Sequence, residues 1–136
     1  MLAGANVLVV EDEMLIALEL ALAIEDARGV VVGPASTTRE ALMLIANAPD
    51  ARMPITAAIL DVNLADRDVT PVVMLLRRND VPVIIRSAVR LPAAVQASYP
   101  DIPWLAKPCE TGRVIQALAV AIRSGARCSA AALVKH

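Results

Sequence analysis

The chain has 136 residues, enough for one domain with a sizeable core. Its 13 basic and 14 acidic residues leave a net charge of -1, so nothing in the charge balance favours nucleic acid as a partner. Apolar residues make up 57%, yet there is no phenylalanine and only one tryptophan and one tyrosine, so the core must be aliphatic.

Asn6 to Val10 is a short apolar run rich in β-branched residues, the pattern of a strand covered on both faces. It ends in Glu11-Asp12, and Asp12 is placed to cap a helix from Glu13 to Arg28. Leu15, Ile16, Leu18, Leu20, Leu22 and Ile24 give that helix a wide apolar stripe, and Gly29 is a natural stop. Val30-Val31-Val32-Gly33-Pro34-Ala35 reads as a second strand ending in a turn. Thr37-Thr38-Arg39-Glu40 has capping-box spacing and opens a helix to about Ala48. Residues 49–54 form a loop.

Ala57 to Leu60 is the third strand, and it ends in Asp61. Asn63 to Val69 is polar and acidic, with Asp66 and Asp68 read as solvated loop acids. Thr70-Pro71 supplies a cap and a first-turn proline for a helix through Arg78. Val83-Ile84-Ile85 is the fourth strand and leads through Arg86 to Ser87. Leu91-Pro92 opens at best a short, proline-broken helix. Trp104 to Ala106 is a brief fifth strand ending in Lys107-Pro108. The last helix runs from Thr111 to Ser124 with Val114, Ile115, Leu118, Ala119 and Ile122 on one face. Gly125 is expected to stop it, leaving 1–125 as the domain and 126–136 as a C-terminal tail.

Strand and helix alternate five times, which predicts an α/β fold: a doubly wound parallel sheet with helices on both faces. In such sheets ligands gather at the carboxyl edge of the strands. The strand ends would bring Glu11, Asp12, Asp61, Ser87 and Lys107 to that edge. Carboxylates grouped there suit Mg2+, which takes oxygen ligands. Taken alone, Glu11 reads equally as solvated and Asp12 as a helix cap. Asp61, after an almost wholly apolar strand, is a candidate nucleophile toward phosphorus. Lys107 and Mg2+ would offset the transferring charge, and Ser87 would donate a hydrogen bond.

Four pieces in this order resemble a response-regulator receiver domain over about Asn6 to Arg123. They are Val9-Val10-Glu11-Asp12-Glu13, Ile59-Leu60-Asp61-Val62-Asn63-Leu64, Ile85-Arg86-Ser87-Ala88 and Ala106-Lys107-Pro108. The resemblance implies a flavodoxin-like five-stranded parallel sheet in the order 2-1-3-4-5. It implies that Glu11, Asp12, Asp61 and the backbone carbonyl of Asn63 hold Mg2+. Asp61 would accept a phosphoryl group from the phosphohistidine of a histidine kinase or phosphotransfer protein. Ser87 and Trp104 would take the switch positions, Lys107 would pair with the phosphoryl group, and Lys107-Pro108 would be cis. Val32-Gly33-Pro34-Ala35-Ser36 and Leu60-Asp61-Val62-Asn63-Leu64 also resemble a subgroup of often stand-alone receivers.

Arg86 departs from the family, which usually has a small or apolar residue there. The residues favour solvent or a structural ion pair for it over contact with a site acid. Trp104 replaces the usual tyrosine or phenylalanine, and Cys109 replaces a common phenylalanine as core or loop filler. Cys109 and Cys128 have no metal-ligand or CxxC spacing. With no run approaching the ~20 apolar residues of a membrane span and no signal-peptide pattern after Met1, a cytoplasmic protein is expected.

The expected function is a phosphorelay receiver, not an enzyme, whose output is partner binding through the face of helix four, strand five and helix five. The alternative is a receiver-like adaptor that does not use phosphorylation. An aspartyl-nucleophile phosphatase of the haloacid-dehalogenase kind is disfavoured, because Asn63 stands where a second aspartate is needed.

Overall fold

A computed structural model of the chain describes residues 1–47, 55–62, 69–87, 93–107 and 109–135. The expected Lys107-Pro108 geometry, the Asn63 carbonyl, Asp66 and Asp68 lie outside those residues.

Five strands, β1 (Asn6–Val10), β2 (Val30–Ala35), β3 (Ala57–Val62), β4 (Val83–Ser87) and β5 (Trp104–Ala106), alternate with five helices. The helices are α1 (Met14–Asp26), α2 (Thr38–Asn47), α3 (Thr70–Arg78), α4 (Ala93–Ser98) and α5 (Thr111–Lys135). The sheet is wholly parallel in the order β2-β1-β3-β4-β5, as expected. Strand side chains point alternately to opposite faces, and this divides the core in two. Leu8, Val10, Ala58, Leu60, Val83 and Ile85 pack with Ala41 and Ile45 of α2 and Val72, Val73 and Leu76 of α3. Val7, Val9, Ala57, Ile59 and Ile84 pack with Leu20 and Ile24 of α1 and Val114, Ile115, Leu118 and Ala119 of α5. Each fully buried Leu or Ile in these layers contributes roughly 1.5–3 kcal/mol.

Several local expectations need correction. The N-cap of α1 is Glu13, not Asp12. That helix buries Ala17, Leu20, Ala21 and Ile24, while Leu15, Leu18 and Leu22 are exposed. A period of 3.6 lets only one arc face the sheet, so the expected wide stripe is half solvated. Thr70 lies inside α3, whose cap is Val69. At α2 the Thr37 side-chain oxygen accepts from the Glu40 N–H at 3.0 Å, and Glu40 reaches back to the Ser36 hydroxyl at 2.9 Å. The helix α5 does not stop at Gly125 but continues to Lys135. A glycine inside a helix costs only ~1 kcal/mol, and the alanine-rich stretch after it favours continuation.

Candidate functional site

Alternation builds the site. On β3, Ala57 and Ile59 face the layer of α1 and α5, so Asp61 does too. Ile59 pairs with Val9 of β1 and with Ile84 of β4, and Asp61 pairs with Arg86. Glu11 lies two residues after Val9, and Arg86 two after Ile84. The apolar row Val9-Ile59-Ile84 is thus followed, at the carboxyl edge, by the charged row Glu11-Asp61-Arg86. Lys107 joins it from the end of β5, where its backbone N–H donates to the Ser87 carbonyl at 3.0 Å.

The Asp61 side chain is wholly buried and meets two cations. Arg86 Nη1 donates to Asp61 Oδ2 at 2.7 Å, and the Lys107 ammonium pairs with Asp61 Oδ1. The second arm of the guanidinium, Nη2, donates to the Cys109 carbonyl at 2.9 Å. Arg86 is therefore buried and held by both arms of its guanidinium, and it contacts a site acid where solvent or a structural ion pair is expected. Its side chain follows the face dictated by Ile84, and a buried guanidinium must find acceptors. The spacing of Arg86 from Ile84 was the available signal for this contact. The role of the Cys109 carbonyl had no signal in the sequence.

Glu11 is buried as well. Its Oε1 accepts from the Glu13 N–H at 2.8 Å, and its Oε2 is buried with no hydrogen-bond partner among the described residues. Burial, and then the adjoining Asp61 carboxylate, push its carboxyl up to about 8, against the pull of the Glu13 N–H and Lys107. Asp12 is exposed just beyond β1. Ser87 is buried at the end of β4, in register with Val62 and Ala106. Trp104 is held outward at 42% exposure, on the short edge strand.

Glu11 Oε2 is an oxygen of the kind Mg2+ takes. The set as built nevertheless does not close around that ion. Both oxygens of Asp61 are engaged by cations, and among the described residues no three acidic, histidine or cysteine side chains converge on one point. What the arrangement offers directly is a buried carboxylate with an ammonium on one oxygen and a guanidinium on the other. That combination can act as a nucleophile toward an electrophile with anionic oxygens, whose charge the cations would meet.

Solved structures with this fold are numerous. A response regulator receiver protein from Sinorhizobium medicae WSM419 superposes with a TM-score of 0.73 at 21% identity, covering 89% of this chain and 96% of that one. A sensor protein from Polaromonas sp. JS666 gives 0.70 at 27% identity, covering 89% and 98%. The response regulator PhyR from Brucella abortus gives 0.74 at 27% identity over 96% of this chain and 53% of its own length. No protein-family model matches the sequence, and no curated protein does.

Proposed function

We propose that this chain, a response-regulator receiver domain by its fold, accepts a phosphoryl group on Asp61 from the phosphohistidine of a histidine kinase or phosphotransfer protein. The observation that carries this reading is the buried Asp61 carboxylate at the carboxyl edge of the sheet, with Lys107 on one oxygen. An Asp61 oxygen would form the bond to phosphorus as the bond from phosphorus to the histidine nitrogen breaks. Lys107 would then turn from the free carboxylate to the phosphoryl oxygens, and Ser87 at the end of β4 would donate its hydroxyl to the same group. The domain is substrate and switch in this scheme, and not an enzyme with a product of its own. Phosphorylation would shift a pre-existing equilibrium between two packings.

Mg2+, which the family resemblance implies, would draw on Glu11, Asp12 and the Asn63 carbonyl, and on Asp61 only once Arg86 lets go of Oδ2. Output would pass to a protein partner through the face of α4, β5 and α5, where Trp104 is exposed. Among the described residues no helix is long and apolar enough to cross a membrane, in keeping with a cytoplasmic relay. A phosphorylation-independent adaptor is the second reading, and the Arg86–Asp61 pair is the observation that favours it.

Labelling by acetyl phosphate, compared between the wild type and Asp61→Asn, tests the proposal. Modification of the wild type and none of the variant is expected. Equal labelling of the variant would move the acceptor elsewhere, and an unlabelled wild type would favour the adaptor.

A further inference from the structure

We propose that Arg86 is the resident counter-cation of Asp61, holding the carboxylate oxygen a divalent metal would otherwise take and so weakening the site's grip on Mg2+. This rests on the reading of Asp61 as the working residue of the site.

Three observations carry it. First, the contact is a direct charge-assisted hydrogen bond, 2.7 Å from Arg86 Nη1 to Asp61 Oδ2, with both side chains buried. An arginine cannot yield such an oxygen by losing its proton, because it stays charged at every accessible pH. Second, the guanidinium is anchored from behind. Its other arm donates to the Cys109 carbonyl at 2.9 Å. Moving it off Asp61 means disturbing a second hydrogen bond or leaving a buried cation without its anion. Third, the oxygen donors that remain among the described residues do not make a metal site. Glu11 Oε2 is buried and unpartnered, Asp12 is exposed, and the remaining Asp61 oxygen is paired with Lys107. A fixed positive charge close to those oxygens also repels an incoming divalent ion.

The Nε–H of Arg86 is buried and has no hydrogen-bond partner among the described residues. A guanidinium with an unused donor beside the acceptor carboxylate is equipped to meet an anionic group arriving there. Lys107 and Arg86 together would then supply charge compensation that otherwise falls to a metal.

The test is Mg2+ binding by calorimetry to the full chain, comparing wild type with Arg86→Met, which keeps much of the side-chain volume, and with Arg86→Gln, which retains a donor for the Cys109 carbonyl. Both variants are expected to bind Mg2+ at least ~10-fold more tightly than the wild type, a difference of about 1.4 kcal/mol. Affinity equal to or weaker than wild type in a folded variant overturns the proposal, and either variant suffices if the other fails to fold. The readout is separate from phosphoryl transfer. Tighter Mg2+ binding in a protein that never labels on Asp61 would refute the acceptor role and leave the Arg86 assignment standing.

Discussion

Replacing Asp61 with alanine should destabilise the domain substantially. Two effects oppose each other. Removal of the carboxylate relieves the crowding with Glu11, whose carboxyl is buried against it. It also strands Arg86 and Lys107, whose side chains are only 10% and 16% exposed. Opposite charges ~4 Å apart interact by about 4 kcal/mol at an effective dielectric of ~20, and Asp61 has two such partners. Breaking a buried pair by deleting one member costs roughly 3–5 kcal/mol. The relief at Glu11 is smaller, because a carboxyl raised to about 8 carries little charge at neutral pH for Asp61 to repel. The net loss should be about 3 kcal/mol, or a fall in Tm of roughly 10 °C for a chain of this size. Urea and thermal unfolding followed by circular dichroism, in chelator-treated buffer, measure it. In a double-mutant cycle the Asp61→Ala/Arg86→Met protein should be less destabilised than the sum of the single changes, by about 2 kcal/mol. An Asp61→Ala protein as stable as the wild type would mean that acid crowding, and not cation pairing, governs this edge of the sheet.

Glu11 sets a pH dependence of opposite sign to that of an ordinary paired carboxylate. Its folded value near 8 lies above its ordinary 4.5. The folded state therefore keeps a proton that the unfolded chain sheds, and stability should fall as pH rises from 4.5 toward 8 and level off beyond. Glu11→Gln should flatten that slope in urea titrations across the same window. Gly33 takes a φ of +97°, and a Cβ there would lie 2.7 Å from the Ala35 nitrogen and 3.1 Å from the Val9 carbonyl oxygen. Gly33→Ala should lower stability by roughly 1–3 kcal/mol, read from the urea midpoint.

The sheet is legible because each strand is a short, largely apolar run, four of the five lead to a chemical residue, and strict strand–helix alternation leaves few topologies. The strand ends were less legible than their middles. The third and fourth strands continue to Val62 and Ser87, so Asp61 and Arg86 sit within the ladder. That extension is what turns Arg86 inward, and hydropathy reads an arginine as an exit from the core. Hydropathy misleads along α1 for the converse reason: Leu15, Leu18 and Leu22 are apolar but exposed. The end of α5 is not legible, because Gly125 reads as a stop signal although glycine is a weak breaker inside an alanine-rich helix.

The Arg86–Asp61 pair has a consequence for how the chain finds its arrangement. Parallel strands have no hairpin to set their alignment, and β4 is apolar on both faces at Val83, Ile84 and Ile85. Hydrophobicity alone would accept those three residues shifted by one. Such a slip would turn the guanidinium to the opposite layer, among Leu60, Val72 and Leu76, where it would meet only hydrocarbon. An unpaired charge buried there costs several kcal/mol, so the misaligned sheet is penalised at one position. The residue that neutralises Asp61 thus also acts as an index mark, telling an otherwise ambiguous strand where to stop sliding.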